Sequence, residues 1–507
     1  MKSKIKKIIC CISFLCILGT VFMKITYLFS ETGYNRLNIV GIKEEEPLDM
    51  VYVGASAAFT YWQPLKAWND YGFTSYSYAT VGLPAESLKH CIEEVLKTQD
   101  PELFVVDARP FQLWSENVDA HVRHGADSMD YSLNRFSLVR DYFNSRTVTE
   151  DVDVLSHYLQ IIKYHSNYQE VLSKEENWKM INNKSNSEYK GWTFMEYHCP
   201  LEKPTGFETD QCTELPEGSR QILDDLLDFC KEKELKVLFV VCPYFITEED
   251  QKVYNTIQKI VEKEGFDFLN TNLYLDEMNL DFQTDFNDCN HVNCFGAEKY
   301  TDFLEKYLVN HYSLPDHRGE EVYASWDDLY IQFKEDETIT KANVQKMIDE
   351  KRKGEAVAEL LPAVIDPMEW ALLADNCNFT LLISTVGEWK SDNIDFEAII
   401  NQFDISNGNE NFLLKVTSGE NDELIDIMSN DYIRESCDVG EEGTRYGQSH
   451  VEIASGKEGY LSVDDVKYVF DEDGIYIGVF NNNKNRLIDV VKITCQNNEM
   501  QLEHKFR

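Results

Sequence analysis

Apolar residues in this chain fall into successive patterns, and each predicts a different kind of element. The first pattern is continuous. Lys2, Lys4, Lys6 and Lys7 precede IICCISFLCILGTVFM, an uncharged run from Ile8 to Met23, and after Lys24 the apolar character resumes as ITYLF. Taken to Phe29, this supplies the ~20 residues a helix needs to cross a bilayer, with Lys24 able to snorkel at the outer edge. A cleaved signal peptide is shorter and ends in an A-x-A-like site, which this stretch does not show. Because the basic cluster precedes the span, the positive-inside rule places everything after residue 30 outside. The expectation is a signal anchor over 1–30 and a single-pass cell-membrane protein whose bulk is extracellular.

The second pattern alternates short apolar runs with amphipathic stretches from residue 45 to 312. DMVYVG (49–54), ELFVVDA (102–108), KVLFVVCP (236–243) and FDFLNT (266–271) read as strands buried on both faces, with FTSYSYAT (73–80) a weaker one. Apolar positions at helical spacing fall over 85–97, 219–234, 248–265 and 296–312. Strand–helix alternation of this kind predicts an α/β domain, a doubly wound parallel sheet between two helical layers. Residues 110–215 are too many for a simple connection and predict a partly helical insertion over one end of the sheet. Beyond 312 the periodicity changes twice more. Residues 313–375 are charged and read as a helical connector. Over 376–507, short runs such as FTLLISTV, SHVEIAS and IYIGVFN, separated by Gly, Asn and Asp, predict a β-rich accessory domain.

Composition narrows the partners. With 48 basic against 89 acidic residues the formal charge is −41, so nucleic acid would be repelled. The 13 cysteines form no CxxC, which removes zinc ribbons and thioredoxin-like redox motifs. Cys10, Cys11 and Cys16 lie in the membrane segment as small apolar residues. An exported location permits disulfides among the rest, without giving their pairing.

Chemistry in an open parallel sheet gathers at the carboxyl ends of its strands. Ser56 follows the first strand among Gly54, Ala55, Ala57 and Ala58, small residues that let the chain turn and present a hydroxyl. A serine is a poor nucleophile without a base. The best base lies after the last strand, where Asp288 and His291 are spaced D-x-x-H. That spacing lets a carboxylate hold one imidazole nitrogen while the other faces the serine. Cys289, His291 and Cys294 form C-x-H-x₂-C but have no evident fourth ligand, so no metal or other cofactor is expected. His121 and His124 in HVRH read as a solvated helical face. Trp192 in YKGW reads as packing against the sheet domain.

On these residues the chain resembles the SGNH/GDSL hydrolases and acyltransferases over roughly 45–312. It is most similar to their membrane-anchored Gram-positive branch, which includes DltD-like, teichoic-acid-associated proteins. The words that carry the resemblance are VYVGASAAF with the following Pro64, Trp68 and YGFTSYSYATVG, then VLFVVCPY, then DFNDCNHVNCFGAEKYT. The resemblance implies a flavodoxin-like three-layer fold with Ser56 as nucleophile, His291 as base and Asp288 as its orienting carboxylate. Gly82 stands where the family places a glycine whose N–H helps form the oxyanion hole. The family's Gly-x-Asn-Asp after the third strand is replaced by VVDARPF, so the asparagine donor is missing. Arg109 is the obvious substitute, as an oxyanion or acceptor-binding group, and it could equally pair structurally with Asp107.

What the resemblance implies is a serine esterase or O-acyltransferase acting on acetyl or D-alanyl-like esters of a surface polysaccharide or teichoic-acid-like polymer. A membrane-bound O-acyltransferase is the implied partner. A noncatalytic adaptor that binds surface glycan and such an acyltransferase is the alternative. Residues 376–496 resemble the interleukin-like EMT-inducer module, implying a binding or spacing role.

Overall fold

The computed structural model describes residues 2–30, 33–114, 119–146, 152–169, 175–403, 405, 411–417, 425–429, 432–440 and 447–505. They divide into two compact units, 1–196 with 202–341, and 197–201 with 342–507.

In the first unit β1 (Met50–Gly54), β2 (Ser75–Ala79), β3 (Leu103–Asp107), β4 (Val237–Val241) and β5 (Asp267–Asn270) form one parallel sheet in the order β2-β1-β3-β4-β5. Every position of β1 to β4 is buried. Both faces are covered, so these strands read as unbroken apolar runs with no alternation. Pro64–Tyr71 and the short helix Ser56–Tyr61 fill the β1–β2 connection. Ala85–Val95, Glu217–Glu232 and Glu248–Lys263 make the next three crossovers, and Cys294–His311 follows β5. Cys294–His311 packs on the first pair, and Ala85–Val95 on Glu217–Glu232. Right-handed crossovers place these two groups on opposite faces. The chain leaves β1 toward β2 and leaves β3 the other way, so the topological switch lies between the carboxyl ends of β1 and β3.

Start signals explain several of these helices. Thr247 and Asp250 form a reciprocal capping box, and Asn293 accepts from the N–H groups of Phe295 and Gly296. The helices at 56–71 escape sequence reading because ASAAFTYWQPLKAW is apolar nearly throughout. Here burial is general and no polar face marks the period.

The helix Lys2–Phe29 contains one stretch, Lys4–Phe29, long and apolar enough to cross a membrane. Residues 110–215 hold short helices, among them Asp119–Ala126, Leu133–Ser145 and Val154–Tyr158. Their centre is a charge: Arg135 is fully buried. Its guanidinium donates to the carbonyls of Ala126, His157 and Tyr158 and to the side chains of Asp127 and Gln160, so each of its three nitrogens has an acceptor. YKGW covers an edge. Ser77 of β2 donates to the Lys190 carbonyl at 3.0 Å, and Trp192, 2% exposed, donates to the Thr60 carbonyl at 3.2 Å. A strand that would otherwise offer free backbone groups is thereby closed.

The second unit is antiparallel. A six-stranded sheet runs β15-β14-β13-β6-β7-β8 and a four-stranded one β12-β11-β10-β9. These are β6 (Phe379–Val386), β7 (Asn411–Thr417), β8 (Ile425–Ser429), β9 (Ile433–Val439), β10 (Ser449–Ser455), β11 (Gly459–Val463), β12 (Val466–Phe470), β13 (Gly474–Asn481), β14 (Arg486–Gln496) and β15 (Glu499–His504). Leu382, Tyr476, Phe480 and Val490 of the larger sheet pack against Val451, Ile453 and Leu461 of the smaller. The larger sheet's other face carries Ile383, Ile477 and Val491 against Trp370, Phe396 and Ile399. Those last three come from the helices Pro367–Ala374 and Ile394–Gln402.

Candidate active site

Ser56, Asp288 and His291 meet at the carboxyl edge of the parallel sheet. Ser56 opens the helix after β1, and its Oγ lies 2.7 Å from His291 Nε2. His291 Nδ1 lies 2.9 and 3.0 Å from the two Asp288 oxygens. Chemistry assigns the protons. Burial pushes the Asp288 carboxyl up, but the His291 hydrogen bond and charge, the Asn290 N–H and the Asn287 amide outweigh it and hold the group below the usual carboxylate range. A carboxylate only accepts, so Nδ1 carries the hydrogen; in the neutral imidazole Nε2 is then the acceptor for the serine O–H.

The loop that carries the base is locally built. Phe286 and Val292 form a bridge, and Asn287 N–H donates to the His291 carbonyl at 2.9 Å. Asp288 Oδ1 accepts from Asn290 N–H at 2.8 Å, an Asx turn that fixes the carboxylate toward the ring. Asn293 caps the following helix with its oxygen and donates from its amide to the Thr284 carbonyl at 2.8 Å. At Gly296 a Cβ would sit 2.4 Å from the Asp285 carbonyl oxygen, so a side chain there would separate helix and loop. Thr301 then joins this helix to the Ser56 helix, donating to the Tyr61 carbonyl at 3.1 Å.

Behind the serine, Asp107 is fully buried and its carboxylate accepts from Ala55 N–H at 3.3 Å and Arg109 N–H at 3.0 Å. Burial raises its carboxyl above the ordinary range, against the charge of Arg109 and these two N–H groups. A Cβ on Gly54 would lie 2.4 Å from Asp107 Cβ. The glycine before the serine therefore makes room for the acid that steadies the turn.

Arg109 is placed beside the site, and its guanidinium is committed to the loop that carries the base. Its Nη1 donates to the Asn290 carbonyl at 3.0 Å and Nη2 to the Asn290 side chain at 3.4 Å, and its plane lies over the Tyr244 ring. Tyr61 Oη lies between the Pro243 carbonyl at 2.6 Å and the same Asn290 carbonyl at 2.9 Å. These bonds anchor the loop between Asp288 and His291. The Asp107 contact comes from the Arg109 backbone and not from its guanidinium.

Gly82 sits in the turn after β2 with φ +60, and its N–H has no partner among the described residues. His121 and His124 do not form a solvated face. The His121 ring lies where a Gly82 Cβ would be, at 2.7 Å, and His124 Nδ1 is 2.9 Å from the Val81 carbonyl. Burial, then the neighbouring His124, lowers the His121 pKa, and its Nδ1 is buried with no partner among the described residues. Sequence alone gave no signal for this, since the helix is joined to the turn only through tertiary packing. The turn is tied on its other side to the helix Tyr34–Gly41: Val81 N–H donates to Asn35 Oδ1 at 2.8 Å, and the Asn38 amide to the Ala79 carbonyl at 2.8 Å.

Other candidates separate. Cys289, His291 and Cys294 do not gather their donor atoms. The one such cluster among the described residues is Asp70, Asp302 and Glu305, and Lys66 Nζ pairs with all three. No disulfide joins any of the cysteines among the described residues. In the second unit His504 holds Asp489 at 2.9 Å, but its other nitrogen is bound to the Val364 carbonyl at 2.7 Å, so this pair is structural.

Compared with known proteins, the chain matches no family model and no curated protein.

Proposed function

We propose that the chain is an SGNH/GDSL-type serine esterase or O-acyltransferase, held at the outer face of the cell membrane, that handles O-acyl groups of a surface polymer. The observation that carries this reading is the continuous relay from Ser56 Oγ through His291 to Asp288. Ser56 attacks the acyl carbonyl while its proton passes to His291 Nε2, and Asp288 stabilises the imidazolium that forms. The oxyanion accepts from the N–H groups of Ser56, which has no intrahelical acceptor in the first turn, and of Gly82. Collapse breaks the ester bond, and the leaving alkoxide takes the proton from His291. A sugar or polyol hydroxyl, or water, then attacks the acyl-enzyme with His291 as base, restoring the Ser56 hydroxyl.

In this reading the acyl group is acetyl or D-alanyl-like, a membrane-bound O-acyltransferase supplies it, and the second unit binds glycan or that partner. The commitment of Arg109 to Asn290 favours one competitor. With the asparagine donor missing and the guanidinium occupied, a noncatalytic adaptor on the same fold has a specific observation behind it.

Labelling with a fluorophosphonate decides between them. The enzyme reading expects modification of Ser56, and its loss in His291→Ala with the melting temperature retained. Equal labelling of wild type and His291→Ala removes the relay. Absence of labelling together with no acyl transfer from an aryl ester to a polyol supports the adaptor.

A further inference from the structure

The apolar helix packs directly on the first unit. Its positions are exposed without a break through Phe22 and again at Ile25, whereas Thr26, Tyr27, Leu28 and Ser30 are buried. It packs on three segments of the insertion, Ile161–Tyr164, His165–Asn167 and Glu175–Asn182. Lys24 Nζ donates to Asn182 Oδ1 at 2.6 Å, and Tyr131 N–H to Tyr27 Oη at 3.0 Å. The orphan carbonyls at the helix end are capped from outside. Asn167 donates to the Phe29 carbonyl at 3.1 Å and Arg36 to that of Ser30 at 3.2 Å.

This clasp leaves the free helix short. At ~1.5 Å per residue the exposed run Ile8–Phe22 reaches about 22 Å, against a hydrocarbon thickness of ~30 Å. Within the remaining ~8 Å only Ile25 is exposed, and the insertion holds Thr26, Tyr27 and Leu28. Each clasping segment also contains, or is followed at once by, an exposed large residue: Ile162 at 37%, Tyr168 at 47% and Trp178 at 45%. Lys163 and Lys179 are exposed beside them. Aromatic rings with flanking lysines next to a spanning helix are the composition of a membrane–water interface.

We infer that the insertion forms a collar that sinks into the outer leaflet, with Ile162, Tyr168 and Trp178 in the acyl-chain boundary and Lys24, Lys163 and Lys179 at headgroup level. The inference rests on the reading that the helix crosses a bilayer. The collar makes up the thickness that the free helix lacks, where otherwise the bilayer would have to thin around it.

Trp178 makes the test direct, because it is the one tryptophan among the chain's eight that is exposed. The full chain is reconstituted into phosphatidylcholine–phosphatidylglycerol vesicles, with and without lipids brominated near the top of the acyl chain. Co-flotation with vesicles reports the anchor, and quenching of tryptophan emission reports the collar. The collar predicts flotation, marked quenching by shallow bromolipid, and loss of at least half of that quenching in Trp178→Phe. Acrylamide from the aqueous side is expected to reach Trp178 in detergent and several-fold less in vesicles. Flotation with no Trp178-dependent quenching overturns the collar and leaves the anchor standing. Failure to float overturns both.

Discussion

Asp288 sets the state in which the imidazole waits, and its environment gives a pH signature. A carboxyl lowered in the folded protein contributes stability above its unfolded pKa of ~3.9, and that contribution is lost as pH falls through the lower folded value. Wild type is therefore expected to melt above Asp288→Asn at pH 6–8, with the gap closing below about pH 4; a gap independent of pH would contradict the assignment of Asp288 as an ionised, hydrogen-bonded carboxylate. Asp288→Ala is expected to slow Ser56 labelling less than His291→Ala, since removing the carboxylate leaves the base itself in place. Arg109 gives a second residue-scale prediction. Its bond to the Asn290 carbonyl is a charge-assisted hydrogen bond, a class worth about 1.5–3 kcal/mol. Arg109→Gln is expected to lower both the melting temperature and the rate, on a neutral ester and on polymer acceptor alike. A loss confined to the polymer would assign the guanidinium to acceptor binding instead.

Two elements, the Ser56 helix and the capped helix Cys294–His311, set the distance between nucleophile and base. Asn293→Ala removes a cap worth about 1 kcal/mol and the amide bond to Thr284, so a melting temperature lower by several degrees and reduced labelling are expected together. Unchanged labelling in the destabilised variant would show that the loop holds its shape without the helix. The strands, the four long helices of the parallel domain and the D-x-x-H loop were legible because each carries a local signal: unbroken apolar runs, helical spacing, turn residues. What was not legible depends on partners far along the chain. His121 over Gly82, Arg109 on Asn290 and Arg135 at the centre of the insertion all acquire their roles by tertiary contact, and a charged residue in sequence looks the same whether solvated or buried. The helix Ile394–Gln402 was likewise hidden among β-like runs, because its apolar face meets a sheet also rich in isoleucine.

For the whole molecule, the anchor reading predicts the outcome of adding protease to intact wall-stripped cells: the bulk of the chain is digested and an N-terminal stub stays with the membrane. Full protection, or a mature protein lacking residues 1–30, would count against it. The excess of acidic residues outside the anchor repels anionic headgroups, so contact at the proposed collar is left to its few lysines, and that repulsion weakens with salt. The helix Tyr34–Gly41, which ties the Val81–Gly82 turn to the stretch just past the anchor, has a geometric consequence. A site bolted to its anchor has a single working altitude. If it handles a surface polymer as proposed, such a site cannot swing outward along that polymer as an enzyme on a long leash does, and works as a gauge that meets only the repeat units passing at that height.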